Sequence, residues 1–229
     1  MNFVKISIAI IFALSLNSSM LFSQIKSDTV ILGKDYVNEV WYNIESGKVS
    51  EFNNNDWDLA FETGQRGGIH VNGAKGVRAW VVPNKTPDDF NKPIDTTGMA
   101  ETWEYHTNSD ESWSIGALNL GLDGYVTDGD FGWGAYDLST HSITGTKLFI
   151  IKLNNNTYKK FYVEALYSQE YTFIYANLDG TDEAIGKVDK KKFAGKNLAY
   201  YSISNNASID RDPLAKDWQL TFGKYEVLV

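Results

Sequence analysis

The segment Asp56–Phe61 constrains the fold of this chain most strongly, because nearly the same sequence returns as Asp217–Phe222. We call these segments the first motif and the second motif. In both, Trp, Leu and Phe stand at alternate positions, with small or polar residues between them. Side chains alternate between the two faces of a strand. The pattern therefore predicts that Trp57, Leu59 and Phe61 point from one strand into one core.

A lead-in segment that starts with two aromatic residues precedes each motif, and it is repeated as well. The first lead-in is Trp41–Ile44 and the second is Tyr200–Ile203. Similarity over more than one element indicates an internal duplication. We therefore predict an all-β domain over residues 24–195 and the start of a second, incomplete repeat unit over residues 196–229. We expect the second motif to pack on the first domain as an added strand, because a free apolar edge promotes aggregation.

Short apolar segments separated by turns fill the rest of the chain. They predict an all-β fold of antiparallel strands, arranged as a meander or a sandwich with long loops. The clearest strands are Leu148–Ile151, Tyr158–Leu166 and Tyr171–Tyr175, which follow one another and predict a meander. Asp182–Phe193 is the only helical candidate, and the Gly and Val within it weaken that prediction.

The segment Pro83–Gly116 carries three of the four prolines and reads as a long loop. Loops of this length inside a domain are usually functional or disordered. Disordered segments are poor in aromatic residues. Trp103, Tyr105 and Trp113 in the second half of this loop therefore indicate a function.

The N-terminus predicts a signal peptide over residues 1–23. Lys5 supplies a positive charge, Ile6–Leu16 is apolar, and small residues precede Gln24. The apolar run is short for a membrane span, so we expect none. The sequence contains no Cys, which excludes a lipid anchor on cysteine and any disulfide. We expect a secreted, periplasmic or cell-surface protein that is not a lipoprotein.

Charge and motifs exclude several functions. With 29 acidic against 21 basic residues, the chain lacks the positive surface that binds nucleic acid. It contains no phosphate-binding loop, no His-Glu-x-x-His zinc motif and no Gly-x-Ser-x-Gly nucleophile elbow. We therefore predict that the chain is not an enzyme, while a hydrolase that uses unrecognised carboxylates stays a further alternative.

The three histidines are candidate ligands, because a ring nitrogen can bind a metal or haem iron. His106 and His141 both follow aromatic residues, whereas His70 lies on a Gly-rich hairpin. Two histidines on separate loops could hold a flat apolar ligand between aromatic walls. The aromatic residues nearest to them in sequence, and hence the predicted pocket walls, are Trp103, Tyr105, Trp133 and Tyr136.

Several segments together resemble the HmuY-like haem-binding family. The segments that carry the resemblance are Glu39–Tyr42, Ser46–Val49, the first motif, Asn72–Gly76, Trp133, Tyr136, Thr140–His141 and the strand pair from Leu148 to Leu166. Members of that family are all-β secreted or surface-anchored haemophores of Bacteroidetes-type bacteria. They capture haem and pass it to an outer-membrane receptor.

The resemblance implies a site as well as a fold. In the best-known type, two histidines on opposing loops hold the iron, and relatives use methionines. It therefore implies His106 and His141 as iron ligands, with Met99 as a substitute. It also implies a two-unit secreted subtype, of which this chain holds an HmuY-like domain over residues 24–195. The alternative function is a secreted β-rich surface module that binds a glycan or a protein.

Overall fold

The structure, a computed structural model, describes residues 25–64, 66–120 and 129–226. It confirms the predicted all-β fold, since the described strands pair antiparallel throughout. The predicted signal peptide lies outside the described residues. None of the helices within the described ranges has the length and hydropathy of a membrane-spanning helix.

The described strands form three sheets, and short 3-10 turns connect several of them. In chain order the strands are β1 (Asn38–Asn43), β2 (Gly47–Asn53), β3 (Leu59–Glu62), β4 (Ile69–Val71), β5 (Arg78–Val81), β6 (Gly134–Asp137), β7 (Ser142–Gly145), β8 (Phe149–Lys152), β9 (Tyr158–Tyr167), β10 (Glu170–Asn177), β11 (Ala184–Asp189), β12 (Leu198–Ser202), β13 (Ala207–Ile209) and β14 (Leu220–Phe222). A single turn of α-helix, α1 (Met99–Thr102), lies between β5 and β6.

The seven-stranded sheet contains the predicted meander. β8, β9 and β10 follow one another as expected, and β11 adds a fourth strand. On the opposite side of β9, β7 and β8 pair with different parts of the same strand, and they pair in turn with β6 and β5. The four-stranded sheet has the order β13-β12-β3-β4, and the three-stranded sheet has the order β14-β1-β2.

The predicted helical segment Asp182–Phe193 is wrong for most of its length. Its centre is β11, and only Lys190–Phe193 forms a 3-10 turn. Gly186 lies so close to Phe173 that an added Cβ would meet the ring at 2.1 Å. Pairing with β10 and burial of Val188 therefore override a weak local helix preference.

The main core lies between the seven-stranded and the four-stranded sheet. Leu59 and Phe61 are fully buried there, and Phe61 stacks on Phe173 of β10 with ring centroids 4.9 Å apart. Trp57 does not share this face. It precedes β3 and packs with Ala60, Leu198 and Tyr200 on the other side of the four-stranded sheet. The prediction of one common face is therefore confirmed for Leu59 and Phe61 and wrong for Trp57.

The first part of the segment Pro83–Gly116, as far as Tyr105, covers the outer face of the seven-stranded sheet. Phe90 and Met99 pack there against Trp80, Leu148 and Ile150 in a second core. The Nζ of buried Lys160 donates to the Phe90 carbonyl at 2.6 Å. Much of this loop is therefore ordered by packing.

The two repeats pair reciprocally. The second lead-in, in β12, pairs with the first motif in β3, and the first lead-in, in β1, pairs with the second motif in β14. The registers correspond residue by residue: Tyr201 is opposite Leu59, and Tyr42 is opposite Leu220. The expected packing of the second motif as an added strand is confirmed. That residues 196–229 start a second repeat unit stays a prediction.

Hydrogen bonds at the start of each motif correspond as well. Asp58 donates its backbone N–H to Tyr201 O at 2.8 Å, and its carboxylate accepts from Ile203 N at 2.8 Å. At the equivalent place, Gln219 donates to Tyr42 O at 3.0 Å, and its Oε1 accepts from Ile44 N at 3.1 Å. The duplication seen in the sequence is thus a duplication of geometry.

Candidate ligand-binding cleft

His106 lies beside β5, next to the bridge that Tyr105 forms with Trp80. Its Nε2 is 2.8 Å from Glu104 Oε1. Trp103 and Tyr105 pack against the second core. Their rings therefore help to hold the loop on the sheet.

His141 lies in the turn between β6 and β7, with a left-handed backbone at φ 54°. Its Nδ1 is hydrogen-bonded to the hydroxyl of Tyr136 at 2.8 Å. His141 is exposed, and Leu138 in the same turn is 78% exposed. This hairpin tip thus presents an imidazole, a phenol and an apolar side chain together.

The structure does not bring His106 and His141 together. His106 lies near Trp80, which pairs with Ile150, and His141 lies just beyond β7. Ile150 is opposite Lys160 of β9 and Ile143 is opposite Leu166, so the two sites are about 20 Å or more apart along β9 at roughly 3.3 Å per residue. A single iron bonds both axial nitrogens directly. In this fold it cannot use both of these histidines.

Two other predicted site residues are core residues. Met99 is 6% exposed and lies within the second core. Trp133 is fully buried in the main core, and its Nε1 donates to Gly67 O at 2.8 Å. Burial leaves neither side chain a surface for a ligand. Of the predicted pocket walls, Tyr136 alone is exposed.

A cleft of about 520 Å³ lies where the three-stranded sheet faces the four-stranded sheet. We call it the inter-sheet cleft. It is formed by residues of β1, β4, β12 and β14, by the segment Asn108–Trp113 and by the segment Gly223–Glu226. Both repeats contribute to it, because Trp57 belongs to the first motif and Thr221 to the second.

Aromatic side chains line this cleft at two depths. Trp57 and Tyr200 meet edge to face at 5.0 Å in the wall, and Trp57 Nε1 donates to Asn54 Oδ1 at 2.8 Å. Trp113 is 49% exposed and Tyr225 is 71% exposed. The cleft thus has buried rings in its wall, Trp57 and Tyr200, and exposed rings, Trp113 and Tyr225.

His70 lies in the wall of the cleft and is 6% exposed. Burial lowers its pKa to about 4, so the imidazole is neutral at neutral pH. A carbonyl oxygen can only accept, so the 2.9 Å contact with Trp113 O identifies Nε2 as the protonated nitrogen. Nδ1 therefore keeps its lone pair, and no described residue donates to it. Sequence reasoning had given His70 no role.

Buried Arg211 supports the wall from behind. Its guanidinium lies 4.8 Å from the Tyr200 ring and 5.3 Å from the Trp41 ring. Nη1 donates to Glu39 Oε2 at 2.9 Å. Burial raises the pKa of the Glu39 carboxyl, and Arg211 opposes this effect. Arg211 thus joins the loop after β13 to β1 and fixes both sides of the cleft.

Sequence reasoning missed most of this site, because its residues come from distant segments. One signal did point to it, since Trp113 stands in the aromatic half of the loop that we expected to be functional. Among the described residues, no three His, Asp or Glu side chains cluster as metal ligands. No family model matches the chain, and comparisons with curated proteins and with solved structures give no match.

Proposed function

We propose that this chain is a secreted, non-catalytic binding protein whose ligand, a glycan, occupies the inter-sheet cleft. The observation that carries the proposal is the combination of accessible aromatic rings and polar side chains around one opening. A volume of about 520 Å³ is in the usual range for small-ligand sites. The open form of the cleft suits part of a longer oligomer.

The chemistry of the lining supports a sugar. The faces of Trp113 and Tyr225 can stack on the apolar face of a sugar ring, since both rings are exposed. Hydroxyl groups of the ligand need hydrogen-bond partners at the same place. Asp110, Glu111 and Ser112 supply oxygen atoms beside Trp113.

The walls are held in place before a ligand arrives, which reduces the entropy lost on binding. Asn72 donates to Asn54 O at 2.6 Å, and Asn108 exchanges hydrogen bonds with the backbone of Val71 at 2.7 and 3.0 Å. The Asn108 bonds tie the segment that carries Trp113 to β4.

Titration with a panel of neutral, acidic and amine-bearing oligosaccharides, followed by calorimetry, tests this function. We expect saturable binding of at least one oligosaccharide and its loss in Trp113→Ala. Tyr167→Ala is the matched control, because Tyr167 is an aromatic residue that is 61% exposed on β9, away from the cleft. Absence of binding to every member of the panel would overturn the glycan proposal.

Haem capture is the second candidate, and the exposed pair of His141 and Tyr136 favours it. Here we propose an HmuY-like haemophore that binds haem through one histidine and passes it to an outer-membrane receptor. Imidazole and phenolate are both known haem ligands. Haemin titration should then give a saturable Soret shift that His141→Ala removes and His106→Ala retains. If haemin bound to His141→Ala gives the same absorbance spectrum as with the wild type, His141 is excluded as the iron ligand. His70→Ala would then test whether haem binds in the inter-sheet cleft.

A further inference from the structure

The carboxylates on the inter-sheet cleft differ in their partners. Glu39 is bonded to Arg211, and Glu226 is bonded to Arg78 at 2.6 Å. Asp110 and Glu111 are exposed, and no described Lys or Arg lies within ion-pair distance of either. Among the described residues that line the cleft, Lys224 is the only Lys or Arg. The accessible side of the cleft therefore carries excess negative charge beside Trp113.

His70 adds an independent constraint on the ligand. It is a buried side chain in the wall of the cleft, and its Nδ1 has a lone pair without a described donor. Carboxylates and this nitrogen are all acceptors. A ligand that satisfies them must donate several hydrogen bonds, and an ammonium group donates three.

We propose that the inter-sheet cleft selects glycans that carry protonated amines, with glucosamine oligomers as the representative class. The inference rests on the proposed glycan-binding function. The ammonium group lies between the carboxylates of Asp110 and Glu111, and the Trp113 ring adds a cation–π contact. His70 Nδ1 accepts a hydrogen bond from a donor on the ligand.

The same charges reject related ligands. An acidic oligosaccharide would bring its carboxylates against Asp110 and Glu111, and like charges repel. An N-acetylated oligomer keeps the ring shape but has no positive charge. Selectivity therefore depends on charge, and it should fall when salt screens the charges.

The decisive experiment compares oligomers of glucosamine and of N-acetylglucosamine of equal length by calorimetry at pH 6, in low and in high salt. We expect the glucosamine oligomer to bind roughly tenfold more tightly in low salt, as a cation–π contact together with pairing to two carboxylates allows. The double variant Asp110→Asn/Glu111→Gln should lose most of that ratio. The adjacent exposed pair in Asp182→Asn/Glu183→Gln is the matched control and should keep it.

The outcomes separate this inference from the proposed function. Equal affinity for both oligomers, abolished by Trp113→Ala, would overturn the amine selectivity and leave glycan binding intact. Absence of binding to either oligomer, with binding elsewhere in the oligosaccharide panel, would also overturn the selectivity. An oligolysine peptide that binds as tightly and depends on Trp113 would overturn the assignment to a sugar. Unchanged selectivity in the double variant would exclude Asp110 and Glu111 as its cause.

Discussion

The first and the second motif have nearly the same sequence and the same pairing register, yet the protein buries them very differently. Leu59 and Phe61 are fully buried, whereas the equivalent Leu220 is 45% exposed and Phe222 is half-buried. Phe61 stacks on Phe173 at 4.9 Å. The only ring that pairs with Phe222 among the described residues is Tyr42, edge to face at 6.2 Å.

The two motifs show that strand register and burial are separate properties, although the same sequence pattern is often taken to predict both. Alternation of large and small side chains specifies a strand and its register. Burial depends on what covers the face. β3 is paired on both sides, by β12 and β4, and the seven-stranded sheet packs on it. Among the described strands, β14 pairs with β1 alone and forms an edge. We therefore expect the second motif to contribute less to stability than the first, and it forms part of an accessible cleft.

Two truncations should show the largest difference between the repeats. A chain that ends after Gly195 loses β12, so β3 loses a paired neighbour and the main core is opened. We expect no cooperative thermal transition for it. A chain that ends after Asp217 loses β14 and the short segments on either side of it, but no other described strand, and should unfold cooperatively at a lowered midpoint. Equal midpoints for the two truncated chains in scanning calorimetry would contradict the view that β12 completes the main core while β14 only adds an edge strand.

Substitution of the equivalent phenylalanines compares the two cores directly. Phe61→Ala should lower the free energy of unfolding by about 3–5 kcal/mol, because it leaves a cavity in a closed core. Phe222→Ala should lower it by about 1 kcal/mol, since its ring is partly solvated already. Urea denaturation measures both. Similar losses would show that the second motif is as well packed as the first.

His70 gives the first repeat a dependence on pH. It lies on β4, next to β3, and its pKa is lowered by burial to about 4 in the folded protein against 6.5 ordinarily. The unfolded chain therefore binds more protons between these values, and stability falls as the pH is lowered from about 6.5 to 4. Since each pKa unit is worth about 1.4 kcal/mol, the full loss is about 3 kcal/mol.

The measurement is urea denaturation at several pH values for the wild type, His70→Gln and His141→Gln. We expect a flatter pH dependence in His70→Gln than in the wild type. His141→Gln is the control at an exposed histidine and should follow the wild type. An unchanged slope in His70→Gln would show that folding does not lower the pKa of His70.

The smallest difference concerns the residues at the start of each motif. Asp58 is 1% exposed, and its carboxylate accepts from Lys75 Nζ at 2.7 Å as well as from Ile203 N. Asp58→Asn keeps the second bond and removes the charge opposite Lys75, which should cost about 1.5–3 kcal/mol. Gln219→Ala removes one exposed hydrogen bond and should cost about 0.5 kcal/mol. Chemical denaturation measures the loss in free energy of unfolding for both variants. A larger loss for Gln219→Ala than for Asp58→Asn would contradict the expectation.

Local sequence predicted the all-β class, the meander and the packing of the second motif as an added strand, because these depend on alternation and on turn residues. It failed at Asp182–Phe193, where pairing with β10 and close approach of Gly186 to Phe173 decide the conformation. It also failed at Trp57, because the strand begins only at Leu59. The indole could therefore turn to the opposite face.

The candidate site divides in the same way. The sequence by itself determined that aromatic residues, histidines and carboxylates recur in particular loops, and that the two motifs form strands. Only the tertiary structure separated His106 from His141, buried Met99 and Trp133, and placed His70, Trp113 and Tyr225 around one cleft. The reason is physical: strand formation depends on neighbours in the chain, whereas a cleft depends on how sheets from distant segments pack against each other.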